Sequence, residues 1–131
     1  MRYRGGAAGL AAAAVLVLAG AVRAQMTLPD LPKPTGAELF KQQCQTCHTL
    51  NPSDPPRQGP LLLGVYGRKP GSVAGFHYSS SFAKADFTWD AAHLDAWLTD
   101  PQALIPGGIM PYRQKDPAVR QAIIAFLKDQ K

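Results

Sequence analysis

Five residues carry the most legible chemistry in this chain: Cys44, Gln45, Thr46, Cys47 and His48. Two cysteines three apart, with a histidine directly after the second, have the spacing of a c-type haem attachment site. On a helical turn, side chains at i, i+3 and i+4 face one way, so both thiols and the imidazole can meet one flat ligand. The thiols would add to the two haem vinyl groups as thioethers, and His48 would bond the iron from the same side. Three other chemistries compete for these residues. A thioredoxin-type dithiol wants a βαβ setting, whereas the flanks here are helix and proline-rich loop. Zinc needs about four ligands, and the fourth would have to come from His77 or His93, with no second close-spaced pair. A structural disulfide leaves the adjacent histidine without a role. The expected cofactor is therefore one haem c, covalent through Cys44 and Cys47, the only cysteines in the chain.

The elements that position these residues begin after a targeting segment, a signal peptide over residues 1–24. Arg2 and Arg4 form a positive start, residues 5–21 an apolar Ala/Gly/Leu/Val run, and Val22-Arg23-Ala24 the cleavage positions. The alternative is an uncleaved anchor, since the apolar run approaches the roughly 18 residues that suggest a span. Its alanine and glycine content makes it weakly hydrophobic, which favours cleavage, export to the periplasm and no stable membrane insertion afterwards. Of 14 basic and 9 acidic residues, Arg2, Arg4 and Arg23 leave with the signal, so 11 face 9 and the net charge falls to +2. That balance gives no case for nucleic-acid binding. The remaining 107 residues (131 less 24) make one domain, small enough that a large buried cofactor would be a major part of its core.

Residues 25–34, with three prolines and no periodicity, read as an extended arm, followed by the domain proper over 35–131. Thr35 and Glu38 have capping-box spacing, opening a helix whose stripe is Ala37, Phe40, Cys44 and Cys47. Prolines 52, 55, 56 and 60 make residues 49–60 a loop. There the Pro60 carbonyl either accepts the second ring N–H of His48 or belongs to an ordinary turn; spacing does not decide. Residues 61–88 read as loop with one short helix near Ser80–Lys84. The dense aromatics Tyr66, Phe76, Tyr78, Phe82, Phe87 and Trp89 are core by default. Asp90 caps a helix that stops before Pro101 and turns Leu94, Trp97 and Leu98 inward, leaving His93 off the stripe and solvent-exposed rather than a ligand. Asp116 and Pro117 open the last helix, with Val119, Ala122, Ile123, Phe126 and Leu127 buried.

A sixth iron ligand can be sought among the thioethers. After cleavage two methionines remain, and Met26 lies in the proline-rich arm. Met110 sits in Pro106-Gly107-Gly108-Ile109-Met110-Pro111, where prolines bracket flexible glycines that can carry a side chain across a flat ligand. A lone loop methionine is more often core filler. With His48 on the other face of a flat ligand, ligation competes with that role.

Residues 59–71, Gly-Pro-Leu-Leu-Leu-Gly-Val-Tyr-Gly-Arg-Lys-Pro-Gly, together with the Cys44–His48 signature, resemble class I cytochrome c, the mitochondrial and bacterial c2-type soluble electron carriers. The resemblance covers nearly all of residues 35–129 in order, through Trp89, Pro101, the Met110 loop and the final helix. It implies an all-α fold, several helices and long loops wrapped around one covalent haem, with the last helix crossing the first at Gly36 and Phe40. It implies that Met110 is the sixth ligand and that Arg68, Tyr78 and Trp89 surround a haem propionate, where a buried carboxylate needs donors and positive charge. Imidazole and thioether ligation in an apolar pocket favours ferrous iron and leaves no open coordination site.

The implied function is an exported mono-haem one-electron carrier, not an enzyme, cycling Fe(II)/Fe(III) between a redox protein donor and acceptor, as a monomer or a subunit of a redox complex. The alternatives are the cytochrome subunit of a periplasmic dehydrogenase or oxidase, or a haem enzyme with a labile Met110. Several positions depart from the family. Trp97 stands where a tyrosine often neighbours the methionine, Phe82 where a buried polar residue is common, and Gly108 where a hydroxyl residue lies near a propionate. Lysines that ring the haem edge in relatives with acidic partners are replaced by Gln43, Gln102, Ala103 and Ile109. An apolar contact surface of Ala103, Leu104, Ile105, Ile109, Pro111 and Tyr112 is expected instead, with Leu104 and Ile105 partly spent on packing the Met110 loop.

Overall fold

Thr35 starts the first helix through a reciprocal cap: Glu38 N–H donates to Thr35 Oγ1 at 3.3 Å, and Thr35 N–H donates to the Glu38 carboxylate at 2.7 Å. Such a cap stabilises by about 1 kcal/mol. The helix, α1, is Gly36–Gln43 in the computed structural model, which describes residues 30–131. The expected signal segment lies outside the described residues, as does half of the arm, whose residues 30–34 form no regular element. Pro32–Lys131 is one compact unit. Within it Leu39 and Phe40 are buried while Ala37 is exposed, so the buried stripe differs from expectation. The cause is Gly36, which must face α4; residues three and four further on share that face and Ala37 does not.

The last helix, α4, is Pro117–Lys128, capped by Asp116, whose Oδ1 accepts Ala118 N–H at 2.8 Å. It crosses α1 so closely that a Cβ on Gly36 would stand 2.2 Å from Ala122 O and 2.7 Å from Phe126 Cβ. Phe40 and Phe126 close the crossing, ring centroids 5.5 Å apart. Ile123, Ile124 and Leu127 are buried; Val119, Ala122 and Phe126 are half-buried. Ile124 was outside the expected stripe. It is covered because α4 packs on two helices, α1 and α2, which widens its buried face.

Helix α2, Ala91–Thr99, begins where Asp90 accepts His93 N–H at 2.8 Å and buries Leu94, Trp97 and Leu98 as its pattern requires. Asp100 breaks it with extended backbone, then caps a further turn, α3, Pro101–Leu104, by accepting Gln102 N–H at 3.0 Å. The proline that stops α2 thus starts α3, a turn not expected separately. Asp95 on α2 pairs with Arg120 on α4 at 2.8 Å.

Residues 61–88 are loop apart from a 3-10 turn at Ser80–Lys84, as expected. Gly67, at φ +85°, reverses the chain so that its N–H donates to Trp89 O at 2.7 Å, while Trp89 N–H donates to Arg68 O at 2.9 Å. The core joins Leu39, Phe40, Val65, Trp89, Trp97, Ile105 and Ile123 with the inner residues of α2 and α4. Every regular element among the described residues is helical, and none is long and apolar enough to cross a membrane.

Candidate functional site

Helix α1 ends at Gln43, and the chemistry-bearing residues follow on one more turn rather than within the helix. Cys44 is the C-cap, and Cys47 N–H and His48 N–H both donate to Cys44 O, at 3.1 and 2.9 Å. That tight turn brings both thiols and the imidazole to one cavity of about 270 Å³. The cysteines are free and half-buried. Burial, with Cys47 adding a smaller effect, pushes the Cys44 thiol up to about 11. A reactive dithiol pair is favoured by a lowered thiol, and Cys44 shifts the opposite way. Zinc fares no better: among the described residues no three His, Cys, Asp or Glu side chains group as a metal site.

His48 is held on two sides. Its Nδ1 lies 2.7 Å from Pro60 O; a carbonyl only accepts, so Nδ1 carries the proton and Nε2 keeps its lone pair. Burial drives the imidazole below its ordinary pKa, against the opposing pull of the Pro60 bond, and keeps it in the neutral, ligating form. Beneath the ring lies Gly59, where a Cβ would stand 2.4 Å from Cε1 and 2.6 Å from Nδ1. Gly59 is itself fixed by its N–H to Cys47 O at 2.7 Å. The sequence flagged Pro60 but not Gly59 as a seat; a glycine directly before the carbonyl-bearing proline is the signal that was there to use.

Met110 lines the same cavity, half-buried. Its Sδ accepts the Trp97 indole N–H at 3.1 Å. The expected flexibility of Gly107 and Gly108 is not what the loop shows. Gly107 N–H donates to Gln102 Oε1 at 3.1 Å, Gln102 Nε2 donates back to Gly108 O, and Gly108 N–H donates to Ile105 O at 2.8 Å. Gly107 remains the position where glycine is needed, at φ +86°. Beyond the methionine, Tyr112 hydroxyl donates to Gln43 Oε1, which also accepts from Gln114 Nε2 at 3.1 Å, tying this strand of chain to the end of α1. Nothing in the local pattern announced that contact, since its partners are 69 residues apart.

Arg68, Tyr78 and Trp89 also line the cavity. The Arg68 guanidinium donates to Leu63 O and Leu61 O at 2.8 Å each, and the Tyr78 hydroxyl accepts Val73 N–H at 3.4 Å. Burial lowers Arg68 and raises Tyr78, each partly offset by the other. His93 stays outside the cavity, but not in free solvent: it stacks on Phe87 at 4.3 Å and bonds Asp90 at 2.8 Å. Of the expected contact surface, Ile109 is 84% exposed and Ala103 and Pro111 are exposed, whereas Ile105 is buried and Leu104 and Tyr112 are half-buried.

The donor set fits a flat iron-bearing macrocycle: two thiols, one neutral imidazole, one thioether and mainly apolar walls share one space. An adjoining hollow of about 370 Å³ continues it past Phe76, His77, Tyr78 and Phe82. Comparison with known proteins agrees. The family model "Cytochrome c" matches residues 34–131. Cytochrome c2 of Rhodomicrobium vannielii is 42% identical over 96 residues, 72% of this chain and 76% of that protein. Cytochrome c2 iso-2 of Magnetospirillum fulvum is 44% identical over 86 residues, 65% of this chain and 88% of its own. Cytochrome c of Ulva intestinalis is 40% identical over 95 residues, 72% of this chain and 86% of that protein.

Proposed function

We propose that this chain, which belongs to the cytochrome c family and is a mono-haem electron carrier of the all-α class I fold with haem c bound covalently, is exported and shuttles single electrons between two redox proteins. The observation that carries the reading is the gathering of Cys44, Cys47, His48 and Met110 on one cavity. When bound, haem supplies an iron that cycles between Fe(II) and Fe(III), one electron at a time.

Each residue then has a task. The Cys44 and Cys47 sulfurs hold the macrocycle as thioethers. His48 offers Nε2 because Pro60 O takes the proton on Nδ1. Met110 offers Sδ as the sixth ligand, leaving no open position for substrate, which favours a carrier over an enzyme. Arg68, Tyr78 and Trp89 furnish the wall where a propionate is compensated, the guanidinium by charge and the ring groups by their donors. Ile109, exposed directly beside Met110, offers a partner an apolar contact, with Arg113 at the margin drawn to Asp100 at 2.9 Å. Export is supported by the signal-like residues 1–24 and places the carrier in the periplasm; residues 25–34 serve as an arm ahead of the 35–131 domain.

A reduced-minus-oxidised visible spectrum of the periplasmic fraction, followed by denaturation and organic extraction, tests the reading. Haem should stay with the polypeptide and extract freely from Cys44→Ser/Cys47→Ser protein. Haem that extracts from the parent, or a signal confined to the membrane fraction, refutes attachment or export respectively. Rapid, tight carbon monoxide binding by the unmutated ferrous protein would refute the closed coordination sphere.

A further inference from the structure

We propose that Asp54 and Asp100 determine which partner this carrier accepts. Each cancels an arginine beside the mouth of the haem cavity, Arg57 and Arg113, so that the face around Ile109 fits a redox protein with an uncharged, apolar contact surface rather than an acidic one. This rests on the reading of the chain as a carrier that meets its partner beside Met110.

Both arginines stand one residue from the cavity lining, Arg57 before Gln58 and Arg113 after Tyr112. Arg57 Nη2 lies 3.4 Å from Asp54 Oδ2 while its Nη1 donates to Gln45 O at 2.8 Å, which lays the guanidinium back on the turn between the cysteines. Asp54 has other holds: it accepts the Thr49 hydroxyl at 2.6 Å and the Asn51 amide at 2.9 Å. The Thr49 bond, against an opposing effect of burial and with help from Arg57 and Asn51, holds its carboxyl below the usual carboxylate range and so ionised. Arg113 Nη2 lies 2.9 Å from Asp100 Oδ1, the same oxygen that caps α3 by accepting Gln102 N–H at 3.0 Å. Both acids are therefore fixed by contacts besides the pair.

Exposed pairs of this kind add little to stability; their effect is on the field. A lone charge acts over the screening length, about 30 Å at low salt, whereas an opposite charge about 3 Å away turns it into a dipole whose pull fades much faster with distance. Lys69, also in the cavity lining, follows Arg68 at the wall assigned to a propionate. Beside the two pairs the surface is apolar, with Ile109 84% exposed and Ala103 and Pro111 exposed. An acidic partner meets no uncancelled arginine there, while covering Ile109 rewards an apolar one.

The test is stopped-flow oxidation of the ferrous haem-loaded chain by two one-electron oxidants, the anion hexacyanoferrate(III) and the cation tris(phenanthroline)cobalt(III). Asp54→Asn and Asp100→Asn should each speed the anion and slow the cation by about two- to five-fold at low salt, both effects shrinking at physiological salt. Asparagine still caps α3, so the second variant keeps its fold. Asp129→Asn, at the end of α4 and outside the cavity lining, makes the same change in net charge. Shifts as large in that control, or unchanged rates in the first two variants, overturn the proposal. Arg57→Gln and Arg113→Gln leave the acids uncancelled and should move both oxidants the opposite way; a move in the same direction reports a disturbed fold and overturns it too. With the native partner, the Asp54→Asn/Asp100→Asn rate should stay as flat with salt as the parent's. A rate that climbs steeply at low salt shows an acidic contact surface and overturns the partner assignment. Ile109→Lys separates premise from inference. If it leaves both oxidants unaffected, electrons leave by another face and the reading beneath the proposal fails; if it affects them while the aspartate variants do not, the cancellation alone fails.

Discussion

Gly59→Ala tests how the imidazole is held. The new Cβ would stand 2.4 Å from His48 Cε1, 2.6 Å from Nδ1 and 2.8 Å from Nε2. Non-bonded carbons settle at about 3.5 Å, so ring or loop must move by about 1 Å. The loop resists, because Gly59 N–H is bonded to Cys47 O at 2.7 Å and proline follows. The ring gives way, and a slide of that size takes Nδ1 beyond the roughly 3.2 Å reach of a hydrogen bond to Pro60 O. Overpacking costs about 1–3 kcal/mol. Losing the partner that orients a metal-bound histidine costs about 10–100-fold in ligand affinity. Both describe one displacement, so they overlap rather than add, and about 2 kcal/mol is expected in all. With a guanidinium m-value of about 3 kcal/mol/M, the unfolding midpoint of the haem-loaded protein falls by about 0.7 M. Potential and visible spectrum change with it. Gly36→Ala is the control, overpacking the α1–α4 crossing without touching His48. An unshifted Gly59→Ala midpoint, or a spectral change shared equally by the control, refutes the account.

Gly36→Ala itself forces α1 and α4 apart by about 1 Å, since its Cβ meets backbone at 2.2 Å; a denaturant titration should show a loss of about 1–3 kcal/mol with potential unaltered. Second-order electron transfer with the native partner should vary only a few-fold as salt shortens the screening length from about 30 Å to about 8 Å, and Ile109→Lys should slow it. A steep fall of the parent rate in stopped-flow with added salt would show that charge steers the encounter. The Arg120 hydrogen bond, then its charge, holds the Asp95 carboxyl below the usual carboxylate range, so this pair stabilises above the unfolded value of about 4 and the effect is lost as pH falls through the lower folded value. The gap in thermal midpoint between parent and Asp95→Asn should therefore narrow below about pH 4, and a gap that is constant with pH contradicts the assignment.

What was legible in the sequence shares one property: it depends on residues a few positions apart. The Thr35 and Glu38 cap, the Asp90 and Asp116 caps and the 3-10 turn at Ser80–Lys84 all stand where local patterns put them. Cys44, Cys47 and His48 meet because one turn suffices. The misreadings came where a distant neighbour decides. Ala37 is exposed and Ile124 buried because of where α4 crosses α1 and α2, and helical periodicity alone does not carry that information.

The same division explains why candidate ligands could be named from the sequence and the groups that hold them in place could not. A ligand announces itself by type: thiol, imidazole, thioether. The groups that aim these ligands are a backbone carbonyl at Pro60, the absent side chains of Gly59 and Gly108, and an indole edge, none of which is distinctive in a string of letters. Yet each sits within reach of its ligand for a reason of volume. His48 lies flat because Gly59 has no Cβ, and Trp97 reaches Met110 because Gly108 has none. Both candidate ligands thus neighbour a glycine that brings backbone against a flat ring, the His48 ring in one case and the Trp97 ring in the other. Were His48 and Met110 to ligate the iron as proposed, a shift at either glycine would reach the metal position with the ligand set unchanged.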